Sequence, residues 1–491
     1  MTPRQNSSFD VMETTRHNRV LFLLVALVLS GCAITSPSSR IAEAGGAPDA
    51  WTATPHGRAG IDDRWVERFD GSRLRRLVAE AYRANRDLQA AAARVERAAA
   101  TAKGAGSAAR PQIDAALDGS RDKRNFLGFP FAPGGGGGGG APPVLSSISE
   151  TYGARLNLSW EIDLWGRIRA GEQAAMADLQ AEGFRYRGAR ASLAAQVARA
   201  WLTLAESQEQ IEIAHEALDA RDKVAELVRE RFERATGGQE ASASQLRLAE
   251  SDAAGARATL NEWRGELDRS QRQLEILVGR YPSGKLTAAA RLPATPDFPP
   301  VGLPSELLLR RPDILVAERQ LAAAGKRRDA AVRAFFPSIS LTGSAGRSSE
   351  ELGNLLDSDF GVWSIAGQAA QPILRGGELK SQLDVRDADE REALANLQQV
   401  VLDGFGEVET ALAADRFLAA RLAAIARAHQ LAIEAAEAAE KDFANGSVDV
   451  LTLLDAHTRR IDLASQRVAL KRLRLDNRVT LHLALGGDYS I

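Results

Sequence analysis

The sequence predicts an α+β membrane protein: an internally duplicated chain with four membrane-crossing β-strands and long coiled-coil helices. Three observations predict it. The first is Thr151–Leu164, which alternates without a break. Tyr152, Ala154, Leu156, Leu158, Trp160, Ile162 and Leu164 fall on one face, and Thr151, Gly153, Arg155, Asn157, Ser159, Glu161 and Asp163 on the other. A period of two over about fourteen residues is a strand with one apolar and one polar side, long for a water-soluble domain and suited to a tilted strand between lipid and a lumen. The second is a change of period at Gly166. From Ile168 to about Arg234 the chain has no proline, and Val197, Leu204, Ile211, Leu218, Ala225 and Phe232 recur every seven residues, the pattern of a left-handed supercoil. The third is a repeat. Laying Pro111-Gln112-Ile113 on Pro337-Ser338-Ile339 also lays Asp87-Leu88 on Asp313-Ile314; a second offset lays Gly166 on Gly377, Val197 on Val408 and Phe232 on Phe443, and Gly279 falls on Gly486.

The elements follow in order. Arg16 and Arg19 precede Val20–Leu29, an apolar run of about ten residues, too short to span a bilayer. Leu29-Ser30-Gly31 then leads to Cys32. Residues 1–31 read as a secretory signal peptide, and Met12–Gly31 alone has the proportions of one. Residues 32–71, rich in Ser, Pro, Gly and Ala and carrying Trp51 and Trp65, read as an extended tether. A first repeat occupies 72–281. It has a helix from Ser72 that stops before Pro111, strands at about 112–122 and 151–165, the long helix, a turn at Gly237-Gly238, and a returning helix over Ser242–Val278. Asp122–Ser149, with Gly134–Gly140, is expected as the hairpin tip between the strands. Residues 282–302 form a proline-rich linker. The second repeat, 303–487, has a helix over Leu307–Arg333, strands at about 337–346 and 361–374, a helix over Leu379–Ala444, a turn at Asn445-Gly446, and a helix over Val450–Leu485.

Composition excludes several functions. A net charge of −2 leaves no basic surplus for phosphate backbones, so nucleic acid is not an expected partner. No pair among His17, His56, His215, His429, His457 and His482 has metal-ligand spacing, and Cys32 is the lone cysteine. No glycine-rich loop joins a strand to a helix; Gly134–Gly140 precedes Ala-Pro-Pro. No catalytic constellation, metal site or cofactor is expected. Glu407/Glu409 and Glu437/Glu440 read as solvated helix faces. Arg310-Arg311-Pro312-Asp313 reads as a helix start, with Pro312 in the first turn and Asp313 favouring the N-terminal dipole, rather than as an anion site. Glu161 and Asp163 are either lumen-lining or a rim pair at the barrel–helix junction, beside Gly166 and, in the second repeat, Gly377.

Several stretches carry a resemblance. They are Leu29-Ser30-Gly31-Cys32, Leu158–Gly166, Arg310-Arg311-Pro312-Asp313-Ile314 with Ala317-Glu318, and Phe335-Phe336-Pro337. Pro372–Gly377 and Asn445-Gly446 with Leu453-Leu454-Asp455-Ala456 complete the set. Together they resemble the TolC-like outer-membrane efflux factors, in particular their lipoprotein branch (OprM-like, NodT-type), over nearly the whole mature chain. The resemblance implies a homotrimer in the outer membrane, with four strands per subunit closing a 12-stranded β-barrel and the helices forming a periplasmic α-helical tunnel. It implies an exit duct of a tripartite efflux system. The duct passes small molecules from an inner-membrane pump and a periplasmic adaptor. It implies that Cys32, in a sequence similar to a bacterial lipobox, carries acyl chains; the other reading is an incidental cysteine after an ordinary signal peptide. It assigns Asp455 to a ring that narrows the periplasmic end of the tunnel. Where TolC has a second aspartate three positions earlier, this chain has Thr452; Asp449, nearer the turn, is a weaker candidate, and a solvated carboxylate is the plain reading of Asp455. The alternatives are a duct for type I protein secretion, a non-channel structural coiled-coil lipoprotein, and a lipid-anchored periplasmic enzyme. Independently, four strands cannot close a barrel with a lumen, and open sheet edges are not tolerated in lipid. Three copies give an even-numbered barrel.

Overall fold

A computed structural model describes residues 48, 50–53, 64–126, 145–234, 242–287, 291–302 and 304–487. The signal peptide, Cys32, Gly134–Gly140 and the Gly237-Gly238 turn lie outside the described residues. The elements are α1 (Glu67–Ala84), α2 (Arg86–Ser107), β1 (Gln112–Phe126), β2 (Leu145–Ile162), α3 (Arg167–Arg234) and α4 (Ala243–Leu277), then α5 (Pro304–Arg310), α6 (Pro312–Arg333), β3 (Ser338–Ser349), β4 (Gly361–Ala370), α7 (Glu378–Ala444) and α8 (Val450–Ala484). Each half thus runs two helices, two strands, a very long helix and a returning helix.

The opening helix of each half is broken, where a single helix was expected from Ser72 and from Leu307. Backbone turns extended at Asn85 (φ −66°, ψ 128°) and at its counterpart Arg311 (φ −67°, ψ 122°). Asn85 starts α2 by accepting a hydrogen bond from the Leu88 amide at 3.0 Å, and its Nδ2 donates to the Leu277 carbonyl at 3.0 Å. Pro312 fixes the start of α6, since it lacks an N–H to continue α5. Helix α1 begins at Glu67, so the tether expected to reach residue 71 ends earlier. Burial of Trp65, Val66 and Phe69 in the main core holds this segment against the body.

The four strands form one antiparallel sheet in the order β1-β2-β3-β4. Strands β1 and β2 outrun the expected 112–122 and the expected start at 151. Their register continues past Ser120↔Thr151 through Arg121↔Glu150 to Phe126↔Leu145, so the loop expected over Asp122–Ser149 shrinks to the stretch between them. The backbone ladder persists there although alternation has stopped, and Arg121 pairs with Glu150 across it at 3.1 Å. At the other end β2 stops at Ile162 rather than 165, because Asp163 turns away to cap the next helix. Strand β3 runs from Ser338 to Ser349, beyond the expected 346. Strand β4 stops at Ala370 rather than 374, ahead of Pro372, which has no N–H for a ladder.

Helix α3 has 68 residues and α7 has 67, each about 100 Å long. Val197 and Leu204, at the middle of α3, are fully buried and Ala225 further on is buried, but Phe232, the last in the same seven-residue register, is 40 % exposed. The line three residues further on, with Ser207, Ala214 and Val228, is buried alongside it. One core cluster joins Trp65, Trp201, Leu204, Leu274 and Leu475; a second joins Trp51, Leu307, Val408 and Leu481; a third, near the far turn, joins Val228, Ala249, Phe443, Val450 and Leu454.

Candidate functional site

The sheet sorts its side chains by the pairing register. Ile113, Leu158, Gly343 and Ile365 share one row, and Trp160 and Leu341 the next, all on one face. Asp114, Asn157, Ser344 and Ser364 share a row on the other, where the Ser344 and Ser364 hydroxyls meet at 2.9 Å. The apolar side runs from Tyr152 to Ile162 along β2, about 25 Å high for a strand tilted by about 40°. That is the height of a lipid-facing belt, with Tyr152 and Trp160 near its two rims. On the polar side Arg155 and Asp118 form an ion pair at 2.7 Å.

Below the belt lies the junction expected from Glu161, Asp163, Gly166 and Gly377. Both oxygens of Asp163 accept backbone hydrogen bonds at the start of α3, from Ile168 at 3.0 Å and Arg169 at 2.8 Å. A carboxylate there satisfies otherwise unpaired N–H groups and favours the positive end of the helix. Glu161 is paired with Arg167 at 2.6 Å, at the rim and still on the polar side. Gly166 (φ 78°) and Gly377 (φ 90°) make the strand-to-helix corners in a left-handed conformation that side chains resist. The Gly166 carbonyl accepts from Arg333 Nη1 at 2.7 Å, and the Trp165 indole N–H donates to the Pro337 carbonyl at 2.8 Å. The ring of Trp165 stacks on Phe336, centroids 5.2 Å apart. The first repeat's corner is thereby fastened to the second repeat's opening helix.

Midway down, Arg311 is buried. Its guanidinium bonds Asp313 at 2.6 Å, Glu407 at 2.7 Å and the Ala484 carbonyl at 3.2 Å. Burial opposes charge on Asp313, but the Arg311 guanidinium outweighs it and holds the carboxyl below its usual range. This is a structural joint, as the helix-start reading of Arg310–Asp313 expects. The reading of Glu407/Glu409 as solvated faces is incomplete: Glu407 is exposed, yet both residues hold distant segments. Glu407 serves Arg311, and Glu409 accepts from the amides of Thr52 at 2.6 Å and Ala53 at 2.9 Å. Both contacts join segments far apart in sequence, so spacing alone gave no signal for them. Beside them Trp51 donates to the Gly302 carbonyl at 3.1 Å.

At the far end, α7 closes at Gly446 (φ 74°), whose N–H donates to the Phe443 carbonyl while that of Ser447 reaches Asp442, at 3.1 and 2.8 Å. This is a Schellman cap. Asp449 starts α8, and its side chain accepts from the Thr452 amide at 2.9 Å and the Thr452 hydroxyl at 2.8 Å. Those bonds hold its carboxyl below the usual range. Asp449 is thus occupied as a helix cap. Asp455 is exposed and, among the described residues, makes no hydrogen bond or ion pair. It lies on the side of α8 away from the buried Leu453, Leu454 and His457. His457 faces Glu440 at 3.1 Å; burial pushes its imidazole pKa down, Glu440 opposes this, and Arg460 and Arg221 add to the lowering. Among the described residues no cluster of His, Cys, Asp and Glu is arranged to hold a metal ion, and no helix is long and apolar enough to cross a membrane.

Residues 77–280 and 303–487 match the family described as outer membrane efflux protein. The chain belongs to that family. Among outer membrane efflux proteins and their relatives it is 27 % identical over 479 residues to the cation efflux system protein CusC of Escherichia coli, covering 96 % of this chain and 99 % of that one. It is 30 % identical over 488 residues to the toluene efflux pump outer membrane protein TtgF of Pseudomonas putida, covering 96 % of each. Its fold superposes on the Campylobacter jejuni CmeC outer membrane channel with a TM-score of 0.81 and 25 % identity, over 90 % of this chain and 92 % of CmeC. Family and neighbours are channel proteins rather than enzymes. As an outer membrane efflux protein the chain places its two-faced sheet in the outer membrane and its long helices in the periplasm.

Proposed function

We propose that three copies of this chain close into the exit duct of a tripartite efflux system, receiving small molecules from an inner-membrane pump through a periplasmic adaptor. The observation that carries the reading is the sheet. Among the described residues it has four strands, one apolar and one polar face, and no partner on the outer edge of β1 or β4. Open edges are excluded from lipid, so the sheet must be completed by other copies, and three copies complete twelve strands. The helices carry the lumen inward for about 100 Å. The names of the relatives, cation efflux and toluene efflux, support a cargo of small molecules or ions and efflux over protein secretion. In the same reading residues 1–31 are removed, Cys32 carries the lipid, and Asp455 narrows the periplasmic mouth. The purified chain in detergent is expected to have three times the monomer's protein mass and to conduct ions in a planar bilayer. A monodisperse monomer that conducts, or a trimer that never does, overturns it.

A further inference from the structure

The two open edges of the sheet differ in charge at their upper ends, and we propose that they form an ion-paired seam between copies: the top of β1 in one copy against the acidic turn before β4 in the next. This rests on the closure of three copies argued above. Among the described residues strand β1 pairs only with β2 and β4 only with β3, so both edges expose unpaired backbone groups. They run in opposite directions and meet as an antiparallel pair when copies are brought together. The level at which they meet follows from the stagger of the sheet. A hydrogen-bonded row starts at Gln112, the first residue of β1, and passes through Ser159 and Thr342 to Ala366, already well above the lower end of β4 at Ala370. Continuing that climb into the next copy sets Gly361, the top of β4, close to Asp122–Arg124.

The charges at that level are complementary. The turn joining β3 to β4 carries Glu350, Glu351, Asp357 and Asp359, all exposed, and the chain has no lysine or arginine between Arg347 and Arg375. Arg347 itself donates to the Leu355 carbonyl at 3.0 Å. Upper β1 carries Arg121, Lys123 and Arg124 against the single acid Asp122. Arg121 is paired within the sheet to Glu150. Lys123 and Arg124 are exposed and, among the described residues, make no ion pair. The seam needs such a device. Lower β4 offers Ala366, Gly367, Ala369 and Ala370, whose small side chains specify strand register poorly, and a slip by one residue would exchange the lipid and lumen faces. Exposed ion pairs are weak singly, but several per seam, repeated at three seams, favour the register that brings them together.

The test is a charge swap in the full-length chain. One variant carries Lys123→Glu and Arg124→Glu, a second carries Asp357→Lys and Asp359→Lys, and a third combines all four. The readout is the temperature at which the purified trimer dissociates, with trimer mass checked in parallel. Each single-edge variant is expected to dissociate several degrees below wild type, the combined variant to regain most of the loss, and 1 M salt to lower the wild type towards the single-edge variants. Single-edge variants as stable as a trimeric wild type, or a combined variant whose losses add, overturn the seam and leave the closure standing. A wild type that is not a trimer overturns both. If a single-edge variant does not assemble at all, rescue in the combined variant still decides the matter.

Discussion

Glu275, near the end of α4, is 2 % exposed and receives four hydrogen bonds from the segment that follows: the Ser283 hydroxyl at 3.0 Å and the amides of Gly284, Lys285 and Leu286 at 2.7, 3.0 and 3.1 Å. Burial alone would raise its pKa; the four donors outweigh it and hold the carboxyl below the ordinary range. A folded-state pKa below the unfolded value gives stability that is full above the unfolded pKa and lost as the pH falls through the folded one. Glu275→Ala is therefore expected to cost about 1–3 kcal/mol at neutral pH, the usual cost of orphaning such donors. The gap from wild type should narrow in acid, below the usual carboxylate range. Denaturant melts of both proteins at the two pH values check this; an equal gap at both would mean that the charged carboxylate is not what holds the segment. The sequence marks Pro282 as the start of a connection but says nothing of this latch, because donors eight to eleven residues away meet one carboxylate only after the chain has turned. Helix caps act within a few residues, and Asp313 was read at a helix start; Asp163 and Asp449 also cap helices, although the sequence suggested a lumen or rim position for the first and the gate for the second. At the same scale, mass spectrometry of the mature N-terminus is expected to find acyl chains on Cys32. An unmodified Cys32, or a different first residue, removes the anchor, while Cys32→Ser should leave the barrel in the membrane.

The elements repeat down to their strained corners. Gly279 (φ 78°) ends the first half against Ala84, and Gly486 (φ 71°) ends the second against Arg310, the residues just before Asn85 and Arg311. A methyl group on Gly279 would stand 2.6 Å from the Ala84 carbonyl oxygen, whereas one on Gly446 would meet open space. Both substitutions to alanine pay the left-handed penalty of about 1–2 kcal/mol, and Gly279→Ala adds a clash with backbone that cannot swing aside. It is expected to lower the thermal midpoint clearly more than Gly446→Ala; equal losses would show that the opening helix yields freely. The alignment of Gly279 with Gly486 was visible in the sequence, as were the strand faces and the long helices, because periodicity reports which side of an element is buried. The break at Asn85 was not, because apolar spacing continues across it; the break at Arg311 was half visible, since Pro312 marks a helix start inside the span expected as one helix. The upper rungs of β1 and β2 were missed for a related reason. Above the lipid belt neither face must be apolar, so the ladder continues without a pattern to announce it.

At the scale of the whole molecule the free face of α8 becomes the matter of interest. Leu451, Asp455, Arg459 and Asp462 lie along one exposed side, opposite the third core cluster. In a three-fold assembly with that side towards the axis, three Asp455 carboxylates converge in a narrow neck walled by protein. Like charges there repel one another and attract cations, and low-dielectric walls focus the field. Charged rings of this kind set selectivity in pores, and a multivalent cation can neutralise the ring and plug it. Asp449 does not fit this role, since its carboxylate is held by Thr452 at the start of the helix. Asp455→Asn is therefore expected to reduce cation selectivity and relieve block by multivalent cations, with trimer assembly unchanged. Asp449→Asn, which keeps an oxygen to accept from Thr452, should leave both properties as in wild type. Single-channel recordings on the three proteins separate the cases. Selectivity and block unchanged in Asp455→Asn would make Asp455 a solvated helix residue, and a change confined to Asp449→Asn would move the constriction to the turn itself.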